Sequence, residues 1–195
     1  MNTKKILFIN ILVWGLWITH LSASCASINT SIINYLLSDS AYVPPADSIE
    51  FTKVTNTDDE TMRVDRIPNG LVVEGQQRKI LLVEVYGYSC PHCTAMIPVY
   101  NRLQAKYPND VYVLTIESYG LTNAELKQYV ADKEIQYDTV AVEKSGNIFS
   151  FIRSIAGQWG GVPWLLVLDR DGKLVETHLG DLPESEIDNL IQSLL

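Results

Sequence analysis

Apolar residues from position 79 onward fall into two alternating kinds of pattern. The segment KILLVEVYGY (79–88) is apolar at nearly every position, which is typical of a strand buried on both faces of a sheet. After it, apolar residues recur at helical spacing up to Pro108, so a helix is predicted to begin at the CPHC sequence. A second strand, VYVLTI (111–116), and a second helix, NAELKQYVADK (123–133), follow.

The remaining C-terminal segments continue this alternation. TVAV (139–142) is predicted as a strand and NIFSFIRSI (147–155) as a short helix. The segment 162–180 contains two apolar runs around an Asp-Gly turn, which predicts a hairpin, and a last helix is expected to start at Pro183. The order of elements predicts an α/β domain with a central mixed sheet flanked by helices, closed by a C-terminal hairpin and helix.

The part of the chain before this domain has a different composition. Residues 27–60 are rich in Ser, Thr, Asn and Asp and lack sustained periodicity, so a linker or loosely structured extension is predicted there. MRVDRI (62–67) and LVVEG (71–75) flank Asn69-Gly70, which predicts a hairpin at the start of the compact domain. The domain is therefore expected to cover residues 61–195.

Residues 1–26 have the features of an export signal. A basic start, MNTKK, precedes an apolar run of about 13 residues and then small residues suited to cleavage. A short anchor helix retained in the membrane is the alternative. Cys25 also gives the segment a likeness to a lipoprotein signal, although Ser22 stands where such signals usually carry a bulky apolar residue. We expect an exported protein of the periplasm or cell envelope, with a possible membrane attachment through the N-terminus or a lipid on Cys25.

Composition limits the classes of partner. The chain has 195 residues, 47% of them hydrophobic, and a formal net charge of -8. One good-sized core can be buried in a chain of this length. An acidic surface argues against binding to nucleic acid or to an anionic membrane, since both require basic patches.

The candidate chemistry lies in the cysteine pair Cys90 and Cys93, with Pro91 and His92 between them. A thiol in the first turn of a helix loses its proton more readily, because unpaired backbone N–H groups point toward it. Cys90 would then be the nucleophile and Cys93, one turn further on, the thiol that resolves a mixed disulfide. His92 could add positive charge near the Cys90 sulfur and so stabilise the reduced form.

Two other interpretations of the pair stay open. A structural disulfide across two residues closes a very short loop and stabilises a fold little. A metal site, including one that handles copper, requires more ligands, and after signal removal only His92 and His178 remain as imidazoles. We expect no cofactor.

The segment VEVYGYSCPHC together with Gly161-Val162-Pro163 resembles the thioredoxin superfamily, and its active-site details resemble the DsbA family of periplasmic thiol oxidases. The resemblance covers about residues 62–195 and implies a thioredoxin-like fold. It implies that Glu84 lies beneath the disulfide and exchanges protons with Cys93. It also implies a cis peptide bond before Pro163, with the Val162 backbone free to pair with an extended substrate.

The length of the domain and its C-terminal hairpin resemble a different branch of the superfamily. DsbA proteins have a large helical insertion before the cis-proline, whereas only about 70 residues separate Cys93 from Pro163 here. That length and the LDRDGK hairpin are similar to the exported TlpA and ResA reductases, although Met96 stands where that group often has a glutamate. TrbB-like disulfide isomerases of conjugation systems share the layout.

These observations predict an exported thiol-disulfide oxidoreductase, acting as an oxidant or isomerase, with a TlpA/ResA-like reductase as the alternative. Its expected partners are cysteine-containing exported proteins and a redox partner that recycles the cysteine pair.

Overall fold

The computed structural model describes residues 42–157 and 160–195. The predicted signal peptide, Cys25 and the first part of the predicted linker lie outside the described residues. None of the helices in the described ranges is long and apolar enough to cross a membrane. The strands are β1 (Glu50–Thr55), β2 (Thr61–Ile67), β3 (Gly70–Val73), β4 (Ile80–Tyr86), β5 (Val111–Glu117), β6 (Asp138–Ala141), β7 (Trp164–Leu168) and β8 (Leu174–Leu179). The helices are α1 (Pro91–Lys106), α2 (Asn123–Asp132), α3 (Ile148–Ala156) and α4 (Glu184–Leu194), with a short 3-10 turn at Val142–Lys144.

Strands β4 to β8 form a five-stranded mixed sheet in the order β6-β5-β4-β7-β8. Strands β4, β5 and β6 run parallel, whereas β7 is antiparallel to β4 and β8 is antiparallel to β7. Every residue of the central strand β4 is buried, as its apolar run predicts. The predicted α/β class, mixed sheet, C-terminal hairpin and closing helix are confirmed.

The two faces of this sheet are covered by different elements, which follows from the alternation of side chains along each strand. Ile80 and Leu82 of β4 pack with Met96 and Leu103 of α1 and with Ile187 of α4. The intervening residues of β4 pack on the opposite face with α3 and the small sheet; this second cluster includes Leu81, Val83, Val85, Phe151 and Val64. Residue 84 therefore belongs to the face covered by α1, the helix that follows the cysteine pair.

Strands β1, β2 and β3 form a second, antiparallel sheet. The predicted hairpin of β2 and β3 is confirmed, but the prediction of a linker up to residue 60 is wrong for Glu50–Thr55, which pairs along its whole length with β2. Thr52 and Val54 of this strand are buried, and the Thr52 hydroxyl accepts a hydrogen bond from the Asn147 backbone N–H at 2.9 Å. The sequence pattern did not indicate this strand, because only one of its two inward positions, Val54, is apolar.

The small sheet is joined to the β7–β8 turn by backbone hydrogen bonds. The Leu71 N–H donates to the Gly172 carbonyl at 2.9 Å, and the Leu174 N–H donates to the Asn69 carbonyl at 2.8 Å. Gly172 has a φ of 78°, and a side chain there would collide with the Leu71 carbonyl. The Asp-Gly turn of the hairpin thus also permits the close approach of the two sheets.

Candidate active site

Cys90 is the N-cap residue of α1. Its backbone is extended, with φ -88° and ψ 117°, and its sulfur accepts a hydrogen bond from the Cys93 backbone N–H at 3.3 Å. Pro91 occupies the first helical position, where a missing N–H is not needed, and its side chain is exposed. A sulfur in this position receives the partial positive charge of the helix start.

Val162 and Pro163 lie opposite this helix start. The peptide bond between them is cis, as the resemblance implies. The Cys90 thiol donates a hydrogen bond to the Val162 carbonyl at 3.8 Å, and Pro163 is buried just before β7. Gly180, which follows β8, donates its N–H to the Pro163 carbonyl at 2.8 Å. The loop before β7 is therefore held against the sulfur of the first cysteine.

Glu84 lies in the middle of β4 with only 2% of its surface exposed. Burial raises the pKa of its carboxyl to about 8, against an ordinary value of 4.5, and a hydrogen bond from the Tyr100 hydroxyl opposes the shift. Its Oε1 atom has no hydrogen-bond partner among the described residues. Glu84 does not face solvent, because β4 is covered on both faces. A buried carboxyl with such a pKa can take up or release a proton near neutral pH.

Cys93 is the more buried of the two cysteines, with 1% of its surface exposed against 9% for Cys90. Burial is the main reason why the pKa of the Cys93 thiol lies well above its usual value. The hydrogen bond with Cys90 raises it further, as do the negative charges of ionised Cys90 and Glu84. The two thiols therefore differ in the way that thiol exchange requires: Cys90 is the more accessible thiol, and Cys93 needs a base in order to react.

His92 lies beside an acidic side chain. Its Nδ1 atom lies 3.2 Å from Asp181 Oδ1, and both side chains are largely exposed. In the described part of the chain, the hydrogen bonds of the Cys90 sulfur are with Cys93 and Val162. A carboxylate thus lies beside His92, and its negative charge opposes the positive charge that a protonated imidazole would bring near the Cys90 sulfur.

Glu117 supports the turn before Cys90, a role that the sequence pattern did not indicate. The side chain is fully buried at the end of β5, directly beside Tyr86 in the register of the sheet. Its two carboxyl oxygens accept four backbone N–H bonds, from Tyr88 at 3.4 Å and from Tyr119, Gly120 and Leu121 at 2.8, 3.0 and 2.9 Å. This one carboxylate therefore joins the turn that precedes the cysteine pair to the loop between β5 and α2.

Gly87 and Tyr119 fit together beside the same turn. A side chain at Gly87 would overlap the Tyr119 ring, since its first carbon would lie 2.6 Å from the ring carbons. Tyr119 and its neighbour Tyr88 expose 53% and 41% of their surfaces. Two aromatic side chains thus lie at the surface beside the turn that precedes Cys90. Pro98 lies inside α1.

The residues in the described ranges contain no group of three or more His, Cys, Asp or Glu side chains that could hold a metal ion. Cys90, Cys93, Glu84, Val162 and Pro163 are brought together by the fold, and His92 lies at the edge of this group.

Comparison with known proteins agrees with this geometry. Residues 71–147 match the family model described as Thioredoxin. The thiol-disulfide oxidoreductase ResA of Bacillus cereus is 24% identical to the chain in an alignment of 148 residues. This alignment covers 70% of this chain and 82% of that protein. The DsbA-like part of the resemblance is not confirmed by these relatives.

Two solved structures are similar in fold. A thiol:disulfide interchange protein of the thioredoxin family from Chlorobium tepidum TLS is 16% identical and superimposes with a TM-score of 0.56, covering 79% of this chain and 99% of that chain. The pneumococcal exposed lipoprotein thioredoxin Etrx1 from Streptococcus pneumoniae strain TIGR4 is 18% identical, with a TM-score of 0.57 and coverage of 74% and 100%. The described part of this chain has a thioredoxin-like fold, and residues 71–147 are similar in sequence to the thioredoxin family.

Proposed function

We propose that the protein is an exported thiol-disulfide oxidoreductase that exchanges disulfides with protein substrates through Cys90 and Cys93. The observation that carries this proposal is the position of Cys90: its sulfur caps α1, accepts the Cys93 N–H and faces the Val162 carbonyl. One thiol is near the surface and activated by the helix, and the other is buried one turn away.

In the reducing direction, the Cys90 thiolate attacks one sulfur of a substrate disulfide. A bond forms between Cys90 and that sulfur, the substrate disulfide breaks, and the other substrate sulfur leaves as a thiolate that takes up a proton. Cys93 then loses its proton and attacks the Cys90 sulfur, which releases the second substrate thiolate. The substrate gains two electrons and becomes a dithiol, and the Cys90–Cys93 pair is oxidised to a disulfide.

Glu84 is the proposed acceptor of the Cys93 proton. The carboxyl is buried beneath the pair, its charge acts on the Cys93 thiol, and one of its oxygens is free of protein hydrogen bonds in the described ranges. Because burial raises the pKa of Glu84 to about 8, the carboxylate is a minor form at neutral pH and is a stronger base than an ordinary glutamate. In the oxidising direction the same carboxyl returns the proton to the Cys93 thiolate.

Reduction of substrate disulfides is the direction that we favour. The Asp181 carboxylate beside His92 opposes any positive charge that the imidazole would bring to the Cys90 thiolate, and a stabilised thiolate is what makes a dithiol a strong oxidant. Similarity to ResA supports the same direction. An oxidant or isomerase is the second candidate, supported by the resemblance of the CPHC sequence to the DsbA family.

The reduction potential of the cysteine pair separates these two directions. It is measured by equilibrating the full chain with dithiothreitol or glutathione buffers and counting free thiols. A value near or below about -270 mV is expected for a reductase, whereas a value near about -120 mV would identify a strong oxidant. Reduction of insulin by the reduced protein tests the activity itself, and Cys90→Ala should abolish it.

Metal binding by a protein of the same fold is the alternative from another functional class. It predicts that the chain retains metal in a fixed ratio, that it neither reduces insulin nor refolds a disulfide-containing substrate, and that Cys90→Ala removes metal binding alone. Insulin reduction without metal dependence would exclude it.

The proposed location is outside the cytoplasm, because the sequence of residues 1–26 has the pattern of an export signal. One of the similar structures is described as an exposed lipoprotein. Mass spectrometry of the mature N-terminus tests attachment at Cys25: a lipidated cysteine supports the anchor, and an unmodified start at Ser27 excludes it. The proposed substrates are exported proteins with cysteines, whose extended backbone would pair with Val162.

A further inference from the structure

The strand order of the five-stranded sheet determines which residues flank Cys90. Strands β4 and β5 run parallel and end side by side, so Cys90, which follows β4, lies next to the loop that follows β5 (residues 118–122). Strand β7 runs in the opposite direction on the other side of β4, so Val162 lies at the same edge of the sheet. A substrate chain that crosses this edge therefore meets the β5–α2 loop on one side of Cys90 and Val162 on the other.

Tyr119 is the aromatic residue of this loop. Its ring packs against the backbone of Gly87, where the first carbon of a side chain would lie 2.6 Å from the ring carbons. The Gly87 carbonyl in turn accepts a hydrogen bond from the Cys90 N–H at 3.0 Å. More than half of the Tyr119 surface stays exposed. A largely apolar ring surface is thus joined to the nucleophile through a single intervening residue.

The backbone around Tyr119 is held by hydrogen bonds. The Ser118 N–H and hydroxyl both donate to the Tyr86 carbonyl, at 2.8 and 2.9 Å. The N–H groups of Tyr119 and Gly120 donate to the buried Glu117 carboxylate at 2.8 and 3.0 Å. Because these bonds fix the loop before any substrate arrives, little conformational entropy is lost when the ring is covered.

The exchange reaction determines what covers this ring. A disulfide between Cys90 and a substrate cysteine holds the two Cα atoms about 4.4–6.8 Å apart. An extended chain advances about 3.3 Å per residue, and neighbouring strands of a sheet are about 4.8 Å apart. Residues one or two positions from the substrate cysteine therefore pass over the ends of the strands beside β4. The side chain that reaches Tyr119 belongs to the substrate, and an apolar one gains most from leaving water against an aromatic ring.

We propose that Tyr119 is a specificity-determining residue of the exchange reaction: its exposed ring binds an apolar side chain within two residues of the substrate cysteine, on the side away from Val162. This inference rests on the proposed function, because the substrate covers the ring only while its sulfur is at Cys90. The substrate class is thereby narrowed to proteins with an aliphatic or aromatic residue close to the reacting cysteine.

The test uses the reduced full chain and short peptides of glycine and serine, each with one cysteine linked to thionitrobenzoate. The Cys90 thiolate attacks the peptide sulfur, a mixed disulfide with the peptide forms, and coloured thionitrobenzoate leaves. A single leucine, one or two positions before or after the cysteine, gives four peptides for comparison with the unsubstituted peptide. Stopped-flow absorbance gives the second-order rate constant for each of them.

Leucine on one side of the cysteine should raise the rate constant about five- to thirtyfold through contact with Tyr119. Tyr119→Ala should remove this gain and leave the rate constant of the unsubstituted peptide unchanged, whereas Tyr119→Phe should keep the gain because the ring remains. Any gain from leucine on the other side of the cysteine, over Val162, should persist in both variants. Equal rate constants for all the peptides, or a gain that survives Tyr119→Ala, would overturn the inference.

Two controls separate specificity from damage to the turn before Cys90. Alkylation by iodoacetamide, which carries no apolar side chain, reports the reactivity of Cys90 itself and should be equally fast in Tyr119→Ala and in the original chain. Phe51→Ala removes an exposed aromatic ring from the small sheet and should keep the preference for leucine. Slower alkylation in Tyr119→Ala, with an equal loss of rate on every peptide, would show that Tyr119 acts on the turn alone and would contradict the inference.

Failure of the proposed function has a different signature. In that case Cys93 does not release the peptide, and the mixed disulfide on Cys90 persists whichever peptide is used, which mass spectrometry of the product detects. Release of every peptide without a preference for leucine would leave the proposed function standing and exclude the role of Tyr119.

Discussion

The Cys90 sulfur accepts a hydrogen bond from the Cys93 backbone N–H across 3.3 Å. This contact places the first cysteine at the start of a helix and the second one turn inside it, so the two thiols have different surroundings although they are separated by only two residues. The Cys90 sulfur lies in the partial positive charge of the helix start, whereas burial raises the pKa of the Cys93 thiol. The asymmetry of the pair thus comes from the position of one helix terminus.

Cys93→Ser should trap a mixed disulfide between Cys90 and its substrate. With DTNB this variant is expected to release one equivalent of coloured thiolate, because no second thiol resolves the adduct. Cys90→Ser should react slowly, since the remaining thiol is buried and its pKa is raised. Mass spectrometry of the products identifies the modified cysteine. An adduct formed equally fast on Cys93 would contradict the assignment of roles.

Glu84→Gln should change the pH dependence of stability. The pKa of Glu84 is about 8 in the folded chain and near 4.5 in the unfolded chain, so its stabilising contribution is complete below about pH 4.5 and is lost as the pH rises toward 8. The loss is about 1.4 kcal/mol per pH unit, with roughly 5 kcal/mol as its upper limit. Gln cannot ionise, so the variant should become increasingly more stable than the original chain over this range.

Urea unfolding at several pH values measures the two free energies of unfolding. Glu176→Gln removes one negative charge from an exposed position of β8 and is the matched control. If the difference in free energy of unfolding between the original chain and Glu84→Gln stays constant from pH 4.5 to 8, Glu84 is not the buried carboxyl with a raised pKa that we describe.

Glu117→Gln should loosen the turn before Cys90. The amide group of Gln places N–H donors where some of the four backbone N–H groups need an acceptor, which leaves buried donors without partners. We expect a loss in the free energy of unfolding on the order of 3 kcal/mol. Hydrogen exchange of the amides of Tyr88 and Tyr119 should become faster.

The matched control for Glu117 is Glu143→Gln. The Glu143 side chain is exposed and accepts one backbone N–H, from Asn123 at 2.8 Å, so its substitution should cost less than about 1 kcal/mol. Equal losses of stability in the two variants would argue against the special role of the buried carboxylate.

Asp181→Asn should make the cysteine pair more oxidising. The substitution removes the negative charge beside His92, two residues from Cys90, so the Cys90 thiolate, and with it the reduced form, is stabilised. The pair is exposed and screened by solvent, so the expected rise in the reduction potential is small, about 10 to 30 mV. Asp171→Asn, in the exposed β7–β8 turn, is the control for loss of charge. The same rise in both variants would show that His92 is not involved.

The main features of the fold could be predicted because they depend on local patterns. The uninterrupted apolar run of β4 indicated a central strand, and the Asn69-Gly70 and Asp171-Gly172 turns indicated both hairpins. Strand β1 was missed because its inward positions alternate between a polar and an apolar residue, so its identity depends on pairing with β2. Burial of Glu84 followed from its apolar neighbours in β4.

The contacts that complete the site depend on residues distant in the chain, and a sequence pattern does not reveal them. Tyr100 has the spacing of an ordinary core residue of α1, and the approach of that helix to β4 places it in one cluster with Leu82. Glu117 ends an apolar strand, where an acidic residue usually marks the return to solvent, yet the following loop folds back over it. Asp181 meets His92 because the segment before α4 packs beside the cysteine pair.

The central claim is that Cys90 and Cys93 act as one redox unit. Its most direct test is a redox titration of the full chain in which the free thiols at both positions are counted by alkylation and mass spectrometry. The account predicts that both thiols disappear together in one two-electron transition, and that either Cys90→Ser or Cys93→Ser abolishes this transition. Two thiols that titrate independently, or that remain reduced in strongly oxidising buffer, would contradict it.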